Sequence, residues 1–246
     1  MNIIINGANG KMGRVLCSLV ENSSEHKVAA LVDTTLETDA GKGVFKSIFE
    51  IQEKADVIID FSFHTAVPLL CSYSMKTKTP LVVATTGHTQ RERSLICSCA
   101  RHIPVFYSAN MSLGVALTVC IAKMTAKAFP ESEIEIVEIH HDKKSDFPSG
   151  TALMLAEAIK AVRPQLIIRT GRIPGKERDK NELFIHSLRL GDSAGSHKII
   201  FALPSQTVTI KHEAHDRTLF AEGALRAADF IVQKENGLYS AQDILE

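Results

Sequence analysis

The first 110 residues alternate between short apolar runs and stretches in which apolar residues recur at helical spacing. Residues 2–6 contain three consecutive isoleucines and residues 28–32 form a second short apolar run, and both are typical of strands buried on two faces. Between these runs, helical spacing continues to about Asn22. The same pattern predicts further strands at 56–61, 81–85 and 104–107, and helices at 66–76 and 89–101. Because strands alternate with helices, this half predicts an α/β fold with a doubly wound parallel sheet.

The pattern changes after Asn110. Three helices and four strands are predicted beyond it: the helices at 113–129, 149–162 and 217–232, and the strands at 134–139, 183–190, 196–203 and 206–211. Pro164 stops the second helix. Neighbouring strands joined by short turns predict a second α+β domain with a mixed or antiparallel sheet.

This change of pattern divides the chain into two expected domains. The first covers residues 1–110 and is completed by a C-terminal helical segment at about 217–246. The second covers residues 111–216. No internal repeat or low-complexity tract interrupts either of them.

The composition is that of an ordinary globular protein and narrows the possible partners. Of 246 residues, 45% are apolar and 23% are charged, and 28 Lys and Arg residues balance 28 Asp and Glu residues. Without a basic excess, neither nucleic acid nor an anionic membrane surface is an expected partner. No apolar run approaches the ~20 residues of a membrane helix. The first residues lack the basic and apolar regions of a signal peptide, so we expect a cytoplasmic protein.

The cysteines support the same expectation. There are five of them, Cys17, Cys71, Cys97, Cys99 and Cys120. None forms a C-x-x-C pair, and no His-x-x-x-His pair accompanies them in zinc-site spacing. We therefore expect reduced thiols that pack as small apolar residues, in keeping with a reducing cytoplasm.

A glycine-rich turn follows the first predicted strand. Its sequence has the spacing G-x-x-G-x-x-G and reads Gly7-Ala8-Asn9-Gly10-Lys11-Met12-Gly13. Glycine lets the backbone approach a pyrophosphate, and the following helix offers free N–H groups to that anion. Asp33 ends the second strand, where its carboxylate can accept hydrogen bonds from a ribose. The pattern predicts a Rossmann-like dinucleotide site, and a tight strand–helix turn without a ligand is the alternative.

The residues after Asp33 bear on which nucleotide binds. Thr34 and Thr35 follow the acid, and neither supplies a cation for a 2′-phosphate. The sequence therefore favours NADH over NADPH.

A second group of chemically active residues lies between positions 138 and 151. A predicted strand delivers the adjacent His140 and His141 into a loop that carries two lysines, the second of which is Lys144. Ser149 has the character of an N-cap for the next helix, and Gly150 lets an anion approach its first N–H groups. Such groups suit a carboxylate or phosphate beside a centre that exchanges a proton. A solvated basic turn is the alternative. Adjacent histidines point opposite ways on a strand, so no metal site is predicted.

This second segment closely resembles the signature of the 4-hydroxy-tetrahydrodipicolinate reductase (dihydrodipicolinate reductase) family; it reads His140-His141-x-x-Lys144-x-Asp146-x-Pro148-Ser149-Gly150-Thr151-Ala152. Further segments are similar to motifs of that family and occur in the same order: Gly7-x-x-Gly10-x-Met12-Gly13, Thr85-Thr86-Gly87, Ser108-Ala109-Asn110-Met111-Ser112-Leu113-Gly114-Val115, Arg189-x-Gly191-Asp192-x-x-Gly195-x-His197, and Ile210-x-His212-x-Ala214-x-Asp216-Arg217. The resemblance spans nearly the whole chain. Two departures are Ala84, where glycine is usual, and Phe147, where alanine is usual.

The resemblance implies an NAD(P)H-dependent oxidoreductase. It would reduce 4-hydroxy-tetrahydrodipicolinate to tetrahydrodipicolinate with loss of water, in diaminopimelate and lysine biosynthesis. Its substrate would be a small dicarboxylate, its cofactor NADH or NADPH without a metal, and its assembly a homotetramer; the preference for NADH comes from Thr34 and Thr35 rather than from the resemblance. The domain over 1–110 would bind the dinucleotide, and the domain over 111–216 would bind substrate and form subunit contacts.

The resemblance, joined to the chemistry of the residues, also implies individual roles. Lys144 is the first choice as proton donor, with His140 as donor or acceptor beside it. The expected substrate-binding residues are His141, Ser149, Gly150 and Thr151. The expected nucleotide-binding residues are Gly7, Ala8, Asn9, Gly10, Lys11, Met12, Gly13, Asp33, Ala84, Thr85, Thr86, Ser108, Ala109, Asn110 and Met111.

Two other classes of protein compete with this interpretation. A non-catalytic NAD(H)-binding regulator would keep the glycine-rich turn and would have no use for the His–Lys segment. A different two-domain dehydrogenase, acting on aspartate semialdehyde or homoserine, would need another substrate motif. For aspartate semialdehyde that motif includes a catalytic cysteine in an N-cap-like loop, and no cysteine of this chain stands in such a place.

Overall fold

Two structural units make up the computed structural model, which describes residues 1–172 and 174–246. Unit 1 comprises Met1–Ser112 and Thr218–Glu246, and unit 2 comprises Leu113–Arg217. The strands are β1 (Asn2–Asn6), β2 (Lys27–Val32), β3 (Val44–Phe45), β4 (Val57–Asp60), β5 (Leu81–Val83), β6 (Pro104–Tyr107), β7 (Glu133–His140), β8 (Ile167–Arg169), β9 (Glu182–Arg189), β10 (Gly195–Leu203), β11 (Gln206–Ala214) and β12 (Gly237–Tyr239). The helices are α1 (Lys11–Glu21), α2 (Val67–Thr77), α3 (Gln90–Cys99), α4 (Leu113–Ala128), α5 (Gly150–Val162) and α6 (Thr218–Ile231).

Unit 1 is built on a seven-stranded sheet in the order β12-β6-β5-β4-β1-β2-β3, with parallel pairing throughout. β1 lies inside this sheet, because Ile3, Ile4 and Ile5 are fully buried and need an apolar layer on each face. The strand order reverses between β1 and β4, and doubly wound sheets bind ligands outside the carboxyl ends of the strands at such a point. The predicted doubly wound parallel sheet is confirmed.

Unit 2 contains a five-stranded mixed sheet in the order β11-β10-β7-β9-β8. β7 pairs parallel with β9 and antiparallel with β10, and β10 pairs antiparallel with β11. One core holds Ile134 and Ile136 of β7, Val119 of α4, and Leu155 and Ile159 of α5. The two helices therefore cover the sheet face to which the even-numbered residues of β7 belong, and the predicted mixed sheet is confirmed.

Three strands lie outside the sequence prediction. β3, β8 and β12 have only two or three residues each, and runs this short cannot display a period. Each forms at the edge of its sheet, beside a longer strand that is itself predicted. β12 pairs with β6, so the last part of the chain belongs to the sheet of unit 1.

The five cysteines are free thiols, as the sequence predicts. Cys71 of α2 and Cys99 of α3 are buried, and the Sγ atom of Cys99 lies 3.8 Å from the carbonyl oxygen of Cys71. Both belong to the apolar core of unit 1.

No helix in the described ranges is long and apolar enough to cross a membrane.

Close packing in unit 1 requires a glycine in the middle of α6. A Cβ atom at Gly223 would lie 1.8 Å from the carbonyl oxygen of Met111 and 2.8 Å from its carbonyl carbon. Met111 is itself buried. The backbone after β6 therefore lies against α6 at a distance that no side chain permits.

We predict that Gly223→Ala lowers the free energy of unfolding by about 2 kcal/mol, because a clash with backbone atoms places the overpacking cost at the upper end of its range. Overpacking costs about 1–3 kcal/mol, whereas alanine gains only about 1 kcal/mol over glycine in a helix interior. Urea titration followed by circular dichroism measures the change. Gly41→Ala is the control, because its added Cβ meets only the Asp39 carboxylate at 3.5 Å. An unfolding free energy of Gly223→Ala equal to that of the parent would contradict the packing described.

Candidate active site

Two glycines fix the turn after β1 against neighbouring backbone. Gly7 has a φ of +79°, and a Cβ atom there would lie 2.7 Å from the carbonyl carbon of Phe61 and the nitrogen of Ser62. A Cβ atom at Gly13 would lie 2.1 Å from the carbonyl oxygen of Gly7. Only glycine fits at either position, so α1 begins directly against the end of β1.

Hydrogen bonds inside this turn determine which N–H groups face a ligand. The N–H groups of Gly7 and Ala8 donate to the carbonyl oxygen of Val32 at 2.8 and 3.2 Å, and that of Gly10 donates to Gly7 at 3.1 Å. Residues 11–13 form the first turn of α1, where no preceding carbonyl stands in helical register. Among the described residues, no side chain caps Gly10 at the N-cap and no acid lies in this first turn. The helix end therefore suits an anion such as a pyrophosphate.

Asp33 closes the turn from the end of β2. Its Oδ2 accepts a hydrogen bond from the N–H of Asn9 at 3.1 Å, and its Oδ1 accepts from the N–H and hydroxyl of Thr35 at 2.9 and 2.7 Å. Burial acts to raise the pKa of Asp33, but these hydrogen bonds outweigh it and hold the pKa below its usual value. Arg14 donates to Oδ1 of Asn9 at 2.8 Å. Asp33 is thus an ionised acceptor at the rim of the turn.

Some expected nucleotide-binding residues follow β5. Thr85 is buried, and its hydroxyl lies 3.3 Å from Oδ2 of Asp60 and 3.1 Å from Nε2 of His88. Thr86 is exposed and Ala84 is half-buried. The side chain of Thr85 is therefore engaged inside unit 1, while the backbone of this segment lies at the carboxyl end of the sheet.

The remaining expected nucleotide-binding residues follow β6. The hydroxyl of Ser108 donates to the carbonyl oxygen of Asn110 at 2.6 Å, and Oδ1 of Asn110 accepts from the N–H of Ser112 at 2.9 Å. Ala109 is exposed and Met111 is buried. Because β1, β5 and β6 are parallel strands of one sheet, this segment and the glycine-rich turn both lie at the carboxyl ends of the strands.

In unit 2, the buried face of the sheet changes from apolar to polar where β7 ends. Strand pairing places Glu138 beside His197 of β10, and His197 beside His212 of β11. His140 lies two residues beyond Glu138, hence on the same face, and pairs with Arg189 of β9. Four strands therefore bring ionisable side chains to one end of the helix-covered face.

Glu138 is 0% exposed and has hydrogen-bond partners at both carboxylate oxygens. Oε1 accepts from Nη2 of Arg189 at 2.9 Å and from the N–H of Ser149 at 3.2 Å, and Oε2 accepts from Nδ1 of His140. Burial acts to raise the pKa of Glu138, but hydrogen bonds from Arg189, Ser187 and His140 outweigh it and hold the pKa below its usual value. An ionised carboxylate is thus enclosed at the end of the sheet.

Two imidazoles of this cluster are held neutral at pH 7. Burial lowers the pKa of His140, and the cations Lys144 and Arg189 act in the same direction against the carboxylate of Glu138. Burial and the neighbouring His140 lower the pKa of His197 to about 4. The two rings meet edge to face with their centroids 5.2 Å apart. The cluster therefore combines one ionised acid with two neutral bases.

The turn between β9 and β10, together with the first residue of β10, packs against His140 and His141. A Cβ atom at Gly195, where φ is +151°, would lie 3.1 Å from Nε2 of His140. The N–H of His141 donates to the carbonyl oxygen of Ser193 in the same turn at 2.9 Å, and His141 is half-buried. Residue 195 therefore has to be glycine for the His140 ring to pack in this place.

Lys144 lies in the loop between β7 and α5. Its Nζ is 2.7 and 2.8 Å from the two carboxylate oxygens of Asp146. Arg189 holds the backbone of this loop, since its Nε donates to the carbonyl oxygen of Lys144 at 3.3 Å and its Nη2 donates to that of Asp146 at 2.8 Å. The same guanidinium binds Glu138, so one arginine connects Lys144 with the His140 cluster. The neighbouring Lys143 is exposed.

The N-terminus of α5 borders the same cluster. Ser149 is the N-cap and is buried, and its hydroxyl accepts from the N–H of Ala152 at 3.2 Å and lies 3.1 Å from Nε2 of His197. Gly150 is exposed, and a Cβ atom there would meet nothing within 4 Å. Thr151 is half-buried. The hydroxyl of Ser149 thus points to the interior, while the exposed start of the helix lies at Gly150.

Glu138, His140 and His197 carry ligand atoms that lie within 4.8 Å of one another, the types of group that bind metals. Arg189 and His140 already donate to the carboxylate, however, and a cation would have to displace both hydrogen bonds beside a fixed positive charge. Hydrogen bonds within the protein therefore account for this group of residues better than a bound metal ion does.

Sequence reasoning missed four residues of this cluster, namely Glu138, Arg189, Gly195 and His197. A signal existed for the last three, because they stand in the segment Arg189-x-Gly191-Asp192-x-x-Gly195-x-His197. Glu138 occupies a buried position of an alternating strand, where the only unusual feature is its acidity.

Together these features define a class of protein. A doubly wound sheet with a glycine-rich turn and an ionised acid after β2, and a second unit that carries imidazole and ammonium groups, are the parts of a nucleotide-dependent oxidoreductase. Profiles described as the N-terminus and the C-terminus of dihydrodipicolinate reductase match residues 1–111 and 114–245. The chain belongs to the dihydrodipicolinate reductase family.

Individual relatives agree with the profiles. The chain is 43% identical to a 4-hydroxy-tetrahydrodipicolinate reductase of Caldanaerobacter subterraneus subsp. tengcongensis, over 100% of this chain and 98% of that protein. It is 37% identical to the protein of the same name from Clostridium novyi, over 99% and 98%. Among solved structures, dipicolinate-bound dihydrodipicolinate reductase from Paenisporosarcina sp. TG-14 has the same fold, with a TM-score of 0.83, 24% identity and 99% coverage of both chains. The chain is thus an oxidoreductase that uses a pyridine nucleotide.

We predict that acid destabilises the chain through His197. Its pKa is about 4 when folded and about 6.5 when unfolded. Between these values the unfolded chain binds more protons, so stability falls as pH drops from about 6.5 towards 4, by at most about 3 kcal/mol. Urea unfolding at a series of pH values measures this loss. It should shrink in His197→Gln and persist in His215→Gln, a control at an exposed histidine. An equal loss in His197→Gln and the parent would contradict the assignment.

Proposed function

We infer that the chain catalyses the reduction of 4-hydroxy-tetrahydrodipicolinate to tetrahydrodipicolinate with loss of water, in diaminopimelate and lysine biosynthesis. The observation that carries this inference is similarity to reductases of that name along the whole chain, 43% and 37% identical in two cases. When bound, NADH or NADPH supplies the hydride. The test is the fall in nucleotide absorbance while dihydrodipicolinate synthase generates the substrate from pyruvate and aspartate semialdehyde. No turnover with either nucleotide would overturn the proposed reaction.

The substrate is a small dicarboxylate, and unit 2 offers groups for its carboxylates. We propose that the N–H groups at Gly150 and Thr151, at the start of α5, bind one carboxylate, where the helix end carries a partial positive charge. His141, which is half-buried and directly follows β7, binds a carboxylate oxygen. Ser149 contributes by capping the helix, since its hydroxyl is engaged with Ala152 and His197.

Lys144 is the proposed proton donor. Hydride addition to a conjugated imine leaves negative charge on the ring, and a proton quenches that charge. Asp146 holds the ammonium group of Lys144 at 2.7 Å, and Arg189 holds the loop backbone. Burial keeps the pKa of His140 below its usual value, so its imidazole is neutral. Its Nε2 can then act as a hydrogen-bond acceptor. A neutral acceptor beside an ammonium group suits a proton relay towards the substrate.

For the nucleotide, the proposal is a preference for NADH. The ionised Asp33 accepts ribose hydroxyls and repels a 2′-phosphate at the same position. The pyrophosphate is placed at residues 11–13, the first turn of α1. No metal takes part in the proposed reaction, because Arg189 already balances the buried carboxylate of Glu138.

For the assembly, the proposal is a homotetramer in the cytoplasm. Unit 2 exposes large apolar side chains on α4, including Leu117, Ile121 and Met124, which recur at helical spacing, and contact with other copies would cover them. The free cysteines are in keeping with a reducing compartment. Size-exclusion chromatography with light scattering tests the assembly, and a monomeric mass would exclude it.

We predict that Lys144→Ala lowers kcat by about 10²–10⁴-fold, the usual contribution of a general acid. The Kd for NADH should change by less than about twofold, since the nucleotide residues belong to unit 1. Steady-state kinetics and a fluorescence titration measure the two effects. Lys143→Ala removes an adjacent, exposed ammonium group and serves as the control with near-parent kcat. If kcat and NADH binding fell together in Lys144→Ala, the role as proton donor would be wrong.

We predict that Asp33→Ala weakens NADH more than NADPH. Hydrogen bonds to a charged group contribute about 1.5–3 kcal/mol, which corresponds to a rise of about 10–100-fold in the Kd for NADH. Loss of the carboxylate also removes its repulsion of a 2′-phosphate, so the Kd for NADPH should rise less. Calorimetric titration gives both constants. Asp39→Ala, which removes an exposed acid of unit 1, is the control. An equal rise for both nucleotides would remove Asp33 from the ribose.

A further inference from the structure

Glu138 belongs to the cluster but has no part in the chemistry proposed above. It lies on the helix-covered face of the sheet, where Ile134 and Ile136 precede it as core residues. Its carboxylate joins three elements, because it accepts from His140 of β7, from Arg189 of β9 and from the N-cap Ser149 of α5. An apolar residue would suit this position better unless the carboxylate had a task.

We propose that Glu138 is a positioning residue for the reduction. Its buried carboxylate holds the ring of His140 in one orientation and one tautomer, with the proton on Nδ1 and the lone pair on Nε2. This inference rests on the role proposed for His140.

The tautomer follows from hydrogen-bond chemistry. A neutral imidazole has one donor nitrogen and one acceptor nitrogen, and an ionised carboxylate only accepts. Nδ1 of His140 faces Oε2 of Glu138, so Nδ1 carries the proton and Nε2 is the acceptor. Nε2 is also the atom that an added Cβ at Gly195 would approach to 3.1 Å. The carboxylate therefore leaves Nε2 as the basic nitrogen of a side chain that is 12% exposed.

Among the charged and titratable groups around the His140 ring, Glu138 is the one that orients it. Lys144 from the loop after β7 and Arg189 from β9 are cations, and both act against protonation of His140. From β10 the neutral His197 contributes an edge contact, and His212 of β11 lies beside His197. None of these groups accepts from Nδ1 of His140 in the described structure, whereas the carboxylate of Glu138 does.

Replacement by glutamine makes the proposal sharply testable. Oε1 of Glu138 receives two donors, the N–H of Ser149 and Nη2 of Arg189, so a glutamine must keep its carbonyl oxygen there. Its NH₂ group then faces His140 and donates to Nδ1. The proton of the imidazole moves to Nε2, and the acceptor beside Gly195 becomes a donor.

The direct test is nuclear magnetic resonance of the protein labelled with ¹⁵N-histidine, with His140 assigned from the signal lost in His140→Gln. We expect the parent to show a protonated Nδ1 and an unprotonated Nε2 at neutral pH. We expect Glu138→Gln to show the opposite pattern, and Glu138→Asp to keep the parent pattern because aspartate also only accepts. A parent His140 with its proton on Nε2 overturns the proposal, and this measurement requires only that the parent and His140→Gln fold.

Kinetics provide the second readout. Glu138→Gln should lower kcat by about 10–100-fold, as the loss of a carboxylate that orients a metal-bound imidazole usually does, and Glu138→Asp should recover part of that loss. The Kd for NADH should stay within about twofold of the parent. A kcat for Glu138→Gln equal to that of the parent overturns the proposal.

The matched control is Glu135→Gln, on the same strand but on the opposite face of the sheet. Glu135 likewise accepts from a histidine, Nε2 of His186 at 2.6 Å, and pairs with an arginine, Arg178. Glu135→Gln should leave kcat and the His140 signals unchanged. An effect in Glu135→Gln as large as in Glu138→Gln would reduce the role of Glu138 to general stability of β7.

The two possible failures are separable. If His140→Gln lowers kcat but Glu138→Gln leaves the His140 tautomer unchanged, the positioning role is wrong and the proposed function stands. If His140→Gln keeps the parent kcat, the role proposed for His140 is wrong, and the positioning role for the reaction falls with it.

Discussion

The candidate site of unit 2 depends on one buried ion pair, Glu138 with Arg189. Taking a carboxylate out of water costs several kcal/mol, and attraction to a cation offsets that cost only with good geometry and further hydrogen bonds. Both conditions are met here, because the pair is 2.9 Å apart and Ser149 and His140 supply the additional donors. Loss of Arg189 would leave a fully buried carboxylate without a neighbouring cation, so the ends of β7 and β9 and the start of α5 are held in one arrangement.

The pair also explains how two chemically different groups come to share one place. His140 is oriented by the carboxylate, and the loop of Lys144 is held through the two carbonyl oxygens that Arg189 binds. Unit 1 achieves comparable rigidity by different means. Gly7 and Gly13 leave no room for a side chain, so the first turn of α1 is placed by backbone contact alone. In both units a site of few residues is fixed by regular strands rather than by the loops that carry it.

Much of the fold is visible in the sequence because burial on two faces and alternation are strong signals. Ile3–Ile5 and the runs on β4 and β5 predict the parallel sheet, and the alternation of β7 predicts the second one. β3, β8 and β12 lie outside the sequence prediction because their two or three residues show no period. The His–Lys segment is visible through its unusual composition. Glu138 stands at the start of this segment but is given no role, since alternation marks its position as core and nothing local shows that Arg189, 51 residues away, will pair with it.

The most direct test of this account is a double-mutant cycle between Glu138→Gln and Arg189→Met, read out as kcat in chains whose folding is verified by circular dichroism. If the pair acts as a unit, the double variant should lose no more activity than the worse single variant, which corresponds to a coupling energy above about 1 kcal/mol. Losses that multiply, with a coupling energy near zero, would show that the two residues act independently and would contradict the central role given to the pair.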